Sequence, residues 1–266
     1  VLLDPHDFVD RRPYLHARST IERLLELGCV PVVNVNDAVA NDELRYGDNA
    51  RLAALLANSV GADVLVLLTD MDGVYTADPR RDPSATLIPL VESGDPLLAI
   101  RVDGGGSGRG SGGMASKLTA ARMASWSGIR SVIARASRPD VLAGAVSAEL
   151  VGTTLEGHDR SLSARKLWIA FASEVTGVLR VDAGAERALT DRPSSLLPAG
   201  VIAAVGSFET GDTVDIAGPS DRVFARGIVA ADGDVVRRVL GRRTADLPAG
   251  VNHEVVHRDD LVVLPT

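Results

Sequence analysis

Residues 63–73 of the chain read DVLVLLTDMDG. A continuous apolar run followed at once by turn-forming residues is typical of a β-strand that is covered on both faces. Outward from this run, the spacing of apolar side chains predicts a helix over residues 48–58, a helix that begins near Met114, and a strand over residues 130–134. Strands that alternate with helices predict an α/β fold with a mostly parallel sheet and helices on both faces.

The pattern changes after residue 150. Residues 151–165 are polar and contain Gly, Ser and Thr, which suggests a linker. Beyond them, short apolar runs separated by Gly and Asp turns predict closely spaced strands, as in a small β-barrel or sandwich. The runs cover residues 166–171, 177–181, 200–205, 213–216, 223–229 and 253–257. We therefore predict two domains, residues 1–160 and residues 165–266.

Composition and charge exclude several classes of function. The chain has 35 acidic and 28 basic side chains, and its net charge of −7 argues against nucleic-acid binding driven by counterion release. No apolar run approaches the ~18 residues that span a bilayer, so we expect no membrane association. Cys29 is the only cysteine, which rules out an intrachain disulfide and a cysteine metal cluster. The reducing cytoplasm is the predicted compartment.

The strongest candidate site is the segment DGGGSGRGSGG at residues 103–113, together with the helix expected after it. Glycines allow consecutive backbone N–H groups to face an anion, and a helix N-terminus adds about half a positive charge. Lys117, one of two lysines in the chain, would lie in the first turn, where a cation is unfavourable unless it faces a bound anion. The segment lacks the Gly-Lys-Ser/Thr ending of a P-loop. A flexible surface loop followed by an exposed lysine is the alternative.

Two further polar clusters follow predicted strands. Asn34 and Asp37 come at the end of one strand, and Thr69 and Asp70 come at the end of another. Ligands of open α/β sheets bind beyond the carboxyl ends of the strands, so we expect these clusters to converge with the glycine-rich segment. A carboxylate suits an ammonium group and asparagine amides suit a carboxylate, although each cluster alone is equally consistent with turn chemistry. The pair Asp70 and Asp72 is weak evidence for a metal site.

Four motifs in order carry a resemblance to a known family. They are NVNDAV at residues 34–39, GDN at 47–49, LLTDMDGVY at 67–75 and GGMASKL at 112–118. Together they resemble the amino acid kinase family, specifically its members that phosphorylate glutamate. The stretches SSLLPAGV at residues 194–201 and ARG at 225–227 look like parts of a PUA domain, which those members carry at their C-terminus.

The resemblance implies a transferase that uses ATP and Mg²⁺ to convert L-glutamate to L-glutamyl 5-phosphate, the first step of proline biosynthesis. It implies that Asp37 and Asn49 bind the substrate. We predict Lys117 and Asp48 as the catalytic residues. The nucleotide-binding positions implied are Thr69, Asp70, Ser111, Gly112, Gly113, Met114, Ala115, Ser116 and Lys117. It also implies feedback inhibition by proline, a homo-oligomer and a cytoplasmic location.

The sequence departs from the family pattern at two places. The position after Asn49 is often acidic in the family but is Ala50 here, which leaves Asp48 as the nearest acid. The family's first strand, with its glycine and its phosphate-contacting lysine, has no counterpart in the sequence. Residues 1–3 read like the end of a buried strand, so we expect a further segment upstream of residue 1.

Two other functions are compatible with the sequence. The first is an amino acid kinase for another carboxylate, such as aspartate or acetylglutamate. The second is an RNA-binding or interaction protein that acts through the PUA-like domain, where four arginines form a basic patch: Arg237, Arg238, Arg242 and Arg243. Residues 165–266 carry 12 basic and 14 acidic side chains, so we predict that RNA is not a partner.

Overall fold

The computed structural model describes the chain except for residues 4, 9–10, 37–47, 94, 96, 98–112, 159–161, 174, 249–251 and 265–266. The chain divides into two compact units, Val1–Leu167 and Trp168–Thr266. This division falls shortly after the predicted limits at residues 160 and 165. No helix within the described ranges is long and apolar enough to cross a bilayer.

The first unit contains a two-stranded and a four-stranded sheet. Its strands are β1 (Leu2–Leu3), β2 (Asn34–Val35), β3 (Val64–Thr69), β4 (Leu90–Val91), β5 (Arg130–Arg135) and β6 (Thr153–Leu155). Strands β1 and β2 pair in parallel. The larger sheet has the order β3-β5-β6-β4, in which β3–β5 and β4–β6 are parallel and β5–β6 is antiparallel. The prediction of a mostly parallel sheet is therefore confirmed.

The α-helices of the first unit are α1 (Arg11–Glu26), α2 (Asp48–Val60), α3 (Met114–Ser125), α4 (Val141–Val146) and α5 (Ala164–Leu167). Helices α2 and α3 pack on one face of the larger sheet and α4 packs on the other, whereas α1 and α5 pack against α2. Side chains alternate along a strand. Accordingly, Val64 and Val66 of β3 pack in a cluster with residues of α4, whereas Leu65 packs with Ala57 of α2 and Ala124 of α3. Strand β3 needs apolar side chains on both faces, which explains its unbroken apolar run.

The interpretation of residues 151–165 as a linker was wrong, because β6 lies within this stretch. Thr153 is fully buried, and its hydroxyl accepts a hydrogen bond from the Val74 N–H (2.8 Å) and donates one to the Ile88 carbonyl (2.6 Å). A buried polar side chain is tolerated when its hydrogen bonds are satisfied. Polarity along the sequence therefore did not indicate exposure here.

The second unit is built on a five-stranded sheet. Its strands are β7 (Val175–Val181), β8 (Val201–Gly206), β9 (Thr213–Ala217), β10 (Val223–Val229) and β11 (Val256–Val263), and its helices are α6 (Ala183–Asp191) and α7 (Gly233–Val239). The strand order is β11-β10-β9-β7-β8, antiparallel except for the parallel pair β7–β9. Leu179, Val214 and Ile216 belong to its buried core. The β-rich second domain predicted from the sequence is confirmed.

Two strand predictions in this part of the chain differ from the structure. The strand expected at residues 253–257 begins only at Val256 and continues to Val263 as β11. Residues 166–171 belong to helix α5 and to the π-helical turn Trp168–Ala172 that follows it. Leu167 and Ile169 are fully buried. A short apolar run is compatible with a buried helix as well as with a buried strand, so its periodicity does not separate the two.

Candidate functional site

A cleft of about 540 Å³ lies in the first unit, at the point where β3 ends. Its described walls come from the end of β3 with the turn after it, from residues 77–80, and from the start of α3. Five of the predicted nucleotide-binding residues line it: Thr69, Asp70, Gly113, Met114 and Lys117. The convergence expected at the carboxyl edge of the sheet is thus present for β3 and α3.

The start of α3 offers backbone donors to this cleft. Gly113 is the N-cap residue, and no side chain in the described part of the chain caps the helix. The Ser116 hydroxyl donates to the Gly113 carbonyl (3.0 Å). The first turn contains no acidic residue. The first N–H groups of a helix have no intrahelical partner and lie at the positive end of the helix dipole, so this helix start suits an anion.

Lys117 is a cation four residues after the N-cap of this helix. Met114 and Lys117 are three residues apart, share one face of α3 and both line the cleft. The Lys117 side chain is half-buried and makes no hydrogen bond or ion pair with any residue that the structure describes. A half-buried ammonium group without an internal partner is available to a bound phosphate.

The lining also contains a carboxylate and a second cation. The Thr69 hydroxyl donates to Asp70 Oδ1 (3.1 Å), and Arg80 Nη2 lies 3.4 Å from Asp70 Oδ2. The side chains of Arg80 and Asp70 are 71% and 78% exposed, so this ion pair is weak and leaves both groups accessible. Arg80 was missed in the sequence, since no local pattern distinguishes it from the neighbouring Arg81.

The turn after β3 is held by an ion pair to the end of β5. Arg135 donates to Asp72 through Nε (2.6 Å to Oδ1) and Nη2 (3.2 Å to Oδ2). The Tyr75 hydroxyl also donates to Asp72 Oδ2 (3.2 Å). The hydrogen bond from Arg135 holds the pKa of Asp72 below its ordinary value. Asp72 is therefore occupied by internal partners, which removes it as a metal ligand with Asp70.

Gly73 allows the same turn to lie directly against β6. A Cβ atom at this position would lie 2.5 Å from Thr153 Oγ1 and 2.9 Å from the Thr153 nitrogen. The next residue, Val74, donates its N–H to that threonine hydroxyl (2.8 Å). A side chain at Gly73 would therefore disturb a buried hydrogen bond behind the cleft.

The remaining predicted site residues are not part of the described cleft lining. Asn49 lies in the first turn of α2, and its side-chain oxygen accepts a hydrogen bond from the Val35 N–H (3.3 Å), which ties α2 to β2. Ala115 and Ser116 lie in the first turn of α3. Asp48 is the first residue of α2. Asp37, Ser111 and Gly112 lie outside the described residues.

The sheet and the helices on its two faces define the first unit as an α/β domain, with a cleft where β3 ends. Residues 2–135 match the amino acid kinase family, and residues 177–251 match the PUA domain. Glutamate 5-kinase of Rhodococcus opacus (strain B4) is 48% identical over 99% of this chain and 71% of its own length. Glutamate 5-kinases of Myxococcus xanthus (strain DK1622) and Synechococcus sp. (strain JA-3-3Ab) are 47% and 44% identical, over 99% of this chain and 71% and 72% of theirs. The chain belongs to the amino acid kinase family, and within it to the glutamate 5-kinases.

Proposed function

We propose that this chain transfers the γ-phosphoryl group of ATP to the side-chain carboxylate of L-glutamate. The product is L-glutamyl 5-phosphate, the first intermediate of proline biosynthesis. Membership in the glutamate 5-kinases supports the reaction, and one structural observation supports its location. Lys117, the uncapped start of α3, and the Thr69–Asp70 end of β3 line the same cleft.

The reaction requires little proton transfer by the protein. A glutamate side chain has an ordinary pKa of about 4.3, so the attacking carboxylate is already ionised near neutral pH. No strong general base is required at Asp48 or elsewhere. Phosphoryl transfer depends instead on in-line positioning and on neutralisation of the phosphate charge.

We assign the neutralising role to Lys117 and to the backbone N–H groups at the start of α3. The half-buried ammonium group has no competing partner in the described part of the chain, so it can pair with the terminal phosphates of ATP. Thr69 and Asp70, which line the same cleft, are also assigned to the nucleotide. Asp37, Asn49 and Asp48 are assigned to the glutamate end of the site, as the family resemblance implies.

Mg²⁺ is proposed to enter with ATP. The described residues contain no group of three or more His, Cys, Asp or Glu side chains that could hold a metal ion by themselves. Mg²⁺ is typically bound by one or two carboxylates together with substrate phosphates, and the accessible Asp70 fits that requirement. When bound, the ion lowers the negative charge of the transferring phosphoryl group.

The substrate assignment is tested by ADP release with ATP and a panel of L-glutamate, L-aspartate and N-acetyl-L-glutamate. We expect turnover with glutamate only, and trapping with hydroxylamine should convert its acyl phosphate product to a hydroxamate. ADP release that is independent of glutamate, or faster with another acceptor, would contradict the proposal.

Regulation and assembly are part of the same proposal. Proline carries the same α-carboxylate as glutamate, and we expect it to raise the KM for glutamate without changing the KM for ATP. We also propose a cytoplasmic homo-oligomer, whose mass can be measured by light scattering. A monomer by that measurement, or proline that competes with ATP instead, would refute the respective statement.

A further inference from the structure

The ion pair between Asp72 and Arg135 lies beside the cleft without belonging to its described lining. Its geometry is bidentate, with distances of 2.6 and 3.2 Å between paired nitrogen and oxygen atoms. A planar guanidinium that pairs with both oxygens of a carboxylate fixes the orientation of the carboxylate as well as its distance. The pair therefore restrains the turn in which Asp72 lies.

One end of this restraint is anchored in the sheet. Arg135 is the last residue of β5 and lies in register with Thr69 of β3. The next residue, Ala136, donates its N–H to the Thr69 carbonyl (2.8 Å). The strand ladder thus places the Arg135 backbone directly beside Thr69, which lines the cleft. Asp72 is consequently held at a defined position relative to Thr69.

The other end of the restraint reaches the cleft wall. Asp72 Oδ2 accepts a hydrogen bond from the hydroxyl of Tyr75, and Tyr75 lines the cleft. Between them, Gly73 and Val74 also line the cleft. A substitution of Asp72 would therefore displace Gly73, Val74 and Tyr75, which all line the cleft.

We propose that Asp72 and Arg135 are positioning residues for ATP, which hold the 70–75 turn and the Tyr75 ring in the geometry that binds the nucleotide. This inference rests on the proposed function, because it requires ATP to occupy the cleft. Exposed ion pairs contribute little to folding stability, and the two side chains are 42% (Arg135) and 50% (Asp72) exposed. Loss of the pair should therefore affect nucleotide binding more than stability.

The test compares Asp72→Asn, Arg135→Gln and the double variant with a matched control. Arg18 and Glu22 on α1 form an ion pair of similar length (2.7 Å) and similar exposure (46% and 44%), and neither lines the cleft. Glu22→Gln therefore removes an exposed ion pair elsewhere in the same unit. The dissociation constant of a non-hydrolysable ATP analogue is measured by titration calorimetry, and KM and kcat are measured by ADP release.

We expect each single variant to raise the dissociation constant of the analogue and the KM for ATP by roughly tenfold, since small displacements of binding groups have large effects on positioning. The KM for glutamate should not change, and Glu22→Gln should resemble the wild type. Because the two residues act as one unit, the double variant should have a dissociation constant for the analogue no higher than that of either single variant. Arg135→Lys, which keeps the charge but not the bidentate geometry, should fall between wild type and Arg135→Gln.

An unchanged dissociation constant in both single variants would overturn the inference. So would equal increases in both KM values accompanied by a lower unfolding midpoint, which would indicate a merely structural role. If the wild type binds the analogue but does not phosphorylate glutamate, the proposed function fails while the dissociation constants still decide the role of the ion pair. If the wild type does not bind the analogue, both statements are refuted.

Discussion

Replacing Lys117 by alanine removes the only cation on the described face of α3 that lines the cleft. Lys117 makes no hydrogen bond or ion pair with any described residue, so the substitution removes no such contact. Its effect on folding should therefore be small. Its effect on catalysis should be large, since the ammonium group is assigned to the charge that develops on the transferring phosphoryl group.

The expected magnitude follows from the half-buried position of the side chain. Two unit charges 4 Å apart interact by about 1 kcal/mol in bulk water and by about 4 kcal/mol at the effective dielectric constant of a protein surface. Loss of one preorganised electrostatic contact commonly lowers kcat by about 10²–10³-fold, or 2.7–4 kcal/mol. We expect Lys117→Ala to fall within this range.

The assay is ADP release at saturating ATP and glutamate. The chain provides its own control, because Lys166 on α5 is the other lysine and is also half-buried. Lys166→Ala should keep a kcat near that of the wild type. A kcat for Lys117→Ala within threefold of the wild type, or an equal loss in both variants, would show that Lys117 does not stabilise the transferring phosphate.

Three further predictions concern stability. Gly73→Ala should lower the free energy of unfolding by about 1–3 kcal/mol, because the added methyl group would overpack against Thr153. An unchanged free energy of unfolding in urea denaturation would contradict the close approach of Gly73 to Thr153. Arg226→Met should lower the free energy of unfolding by about 3–5 kcal/mol, because it leaves Asp215 buried without its ion-pair partner. Adding Asp215→Asn should recover part of this loss, and a double variant no more stable than Arg226→Met would refute the explanation. The lowered pKa of Asp72 means that its ionised form stabilises the folded state above the ordinary value of 3.8 and that this contribution is lost as the pH falls through the lowered value. The difference in urea midpoint between wild type and Asp72→Asn should thus be constant from pH 5 to 8 and shrink below about pH 3.8; a difference that instead grows on acidification would show that the sign is wrong.

Local sequence patterns predicted an element correctly where residues close together in the chain determine its structure. Strand β3 is covered on both faces, so its apolar run identified it directly. The start of α3 was recognisable because a glycine-rich segment precedes a periodic helix, and Lys117 follows in its first turn. These features depend on neighbours within a few residues along the chain, and they predicted five residues of one cleft.

Local patterns failed where distant elements decide the environment of a side chain. Thr153 looked like part of a linker, but its burial depends on hydrogen bonds with groups 65 and 79 residues away. Leu167 and Ile169 looked like strand residues because a short apolar run buries equally well as a helix. In both cases the deciding contacts lie outside the segment itself.

The sequence alone therefore indicated the end of the cleft that we assign to the nucleotide, through the apolar run of β3 and the glycines before α3. Only the tertiary structure decided how the cleft wall is held. Asp72 and Arg135 are 63 residues apart and meet because β3 and β5 pair in a particular register. Register depends on the packing of the whole sheet, and no periodicity within either strand specifies which side chain will lie at the end of its neighbour.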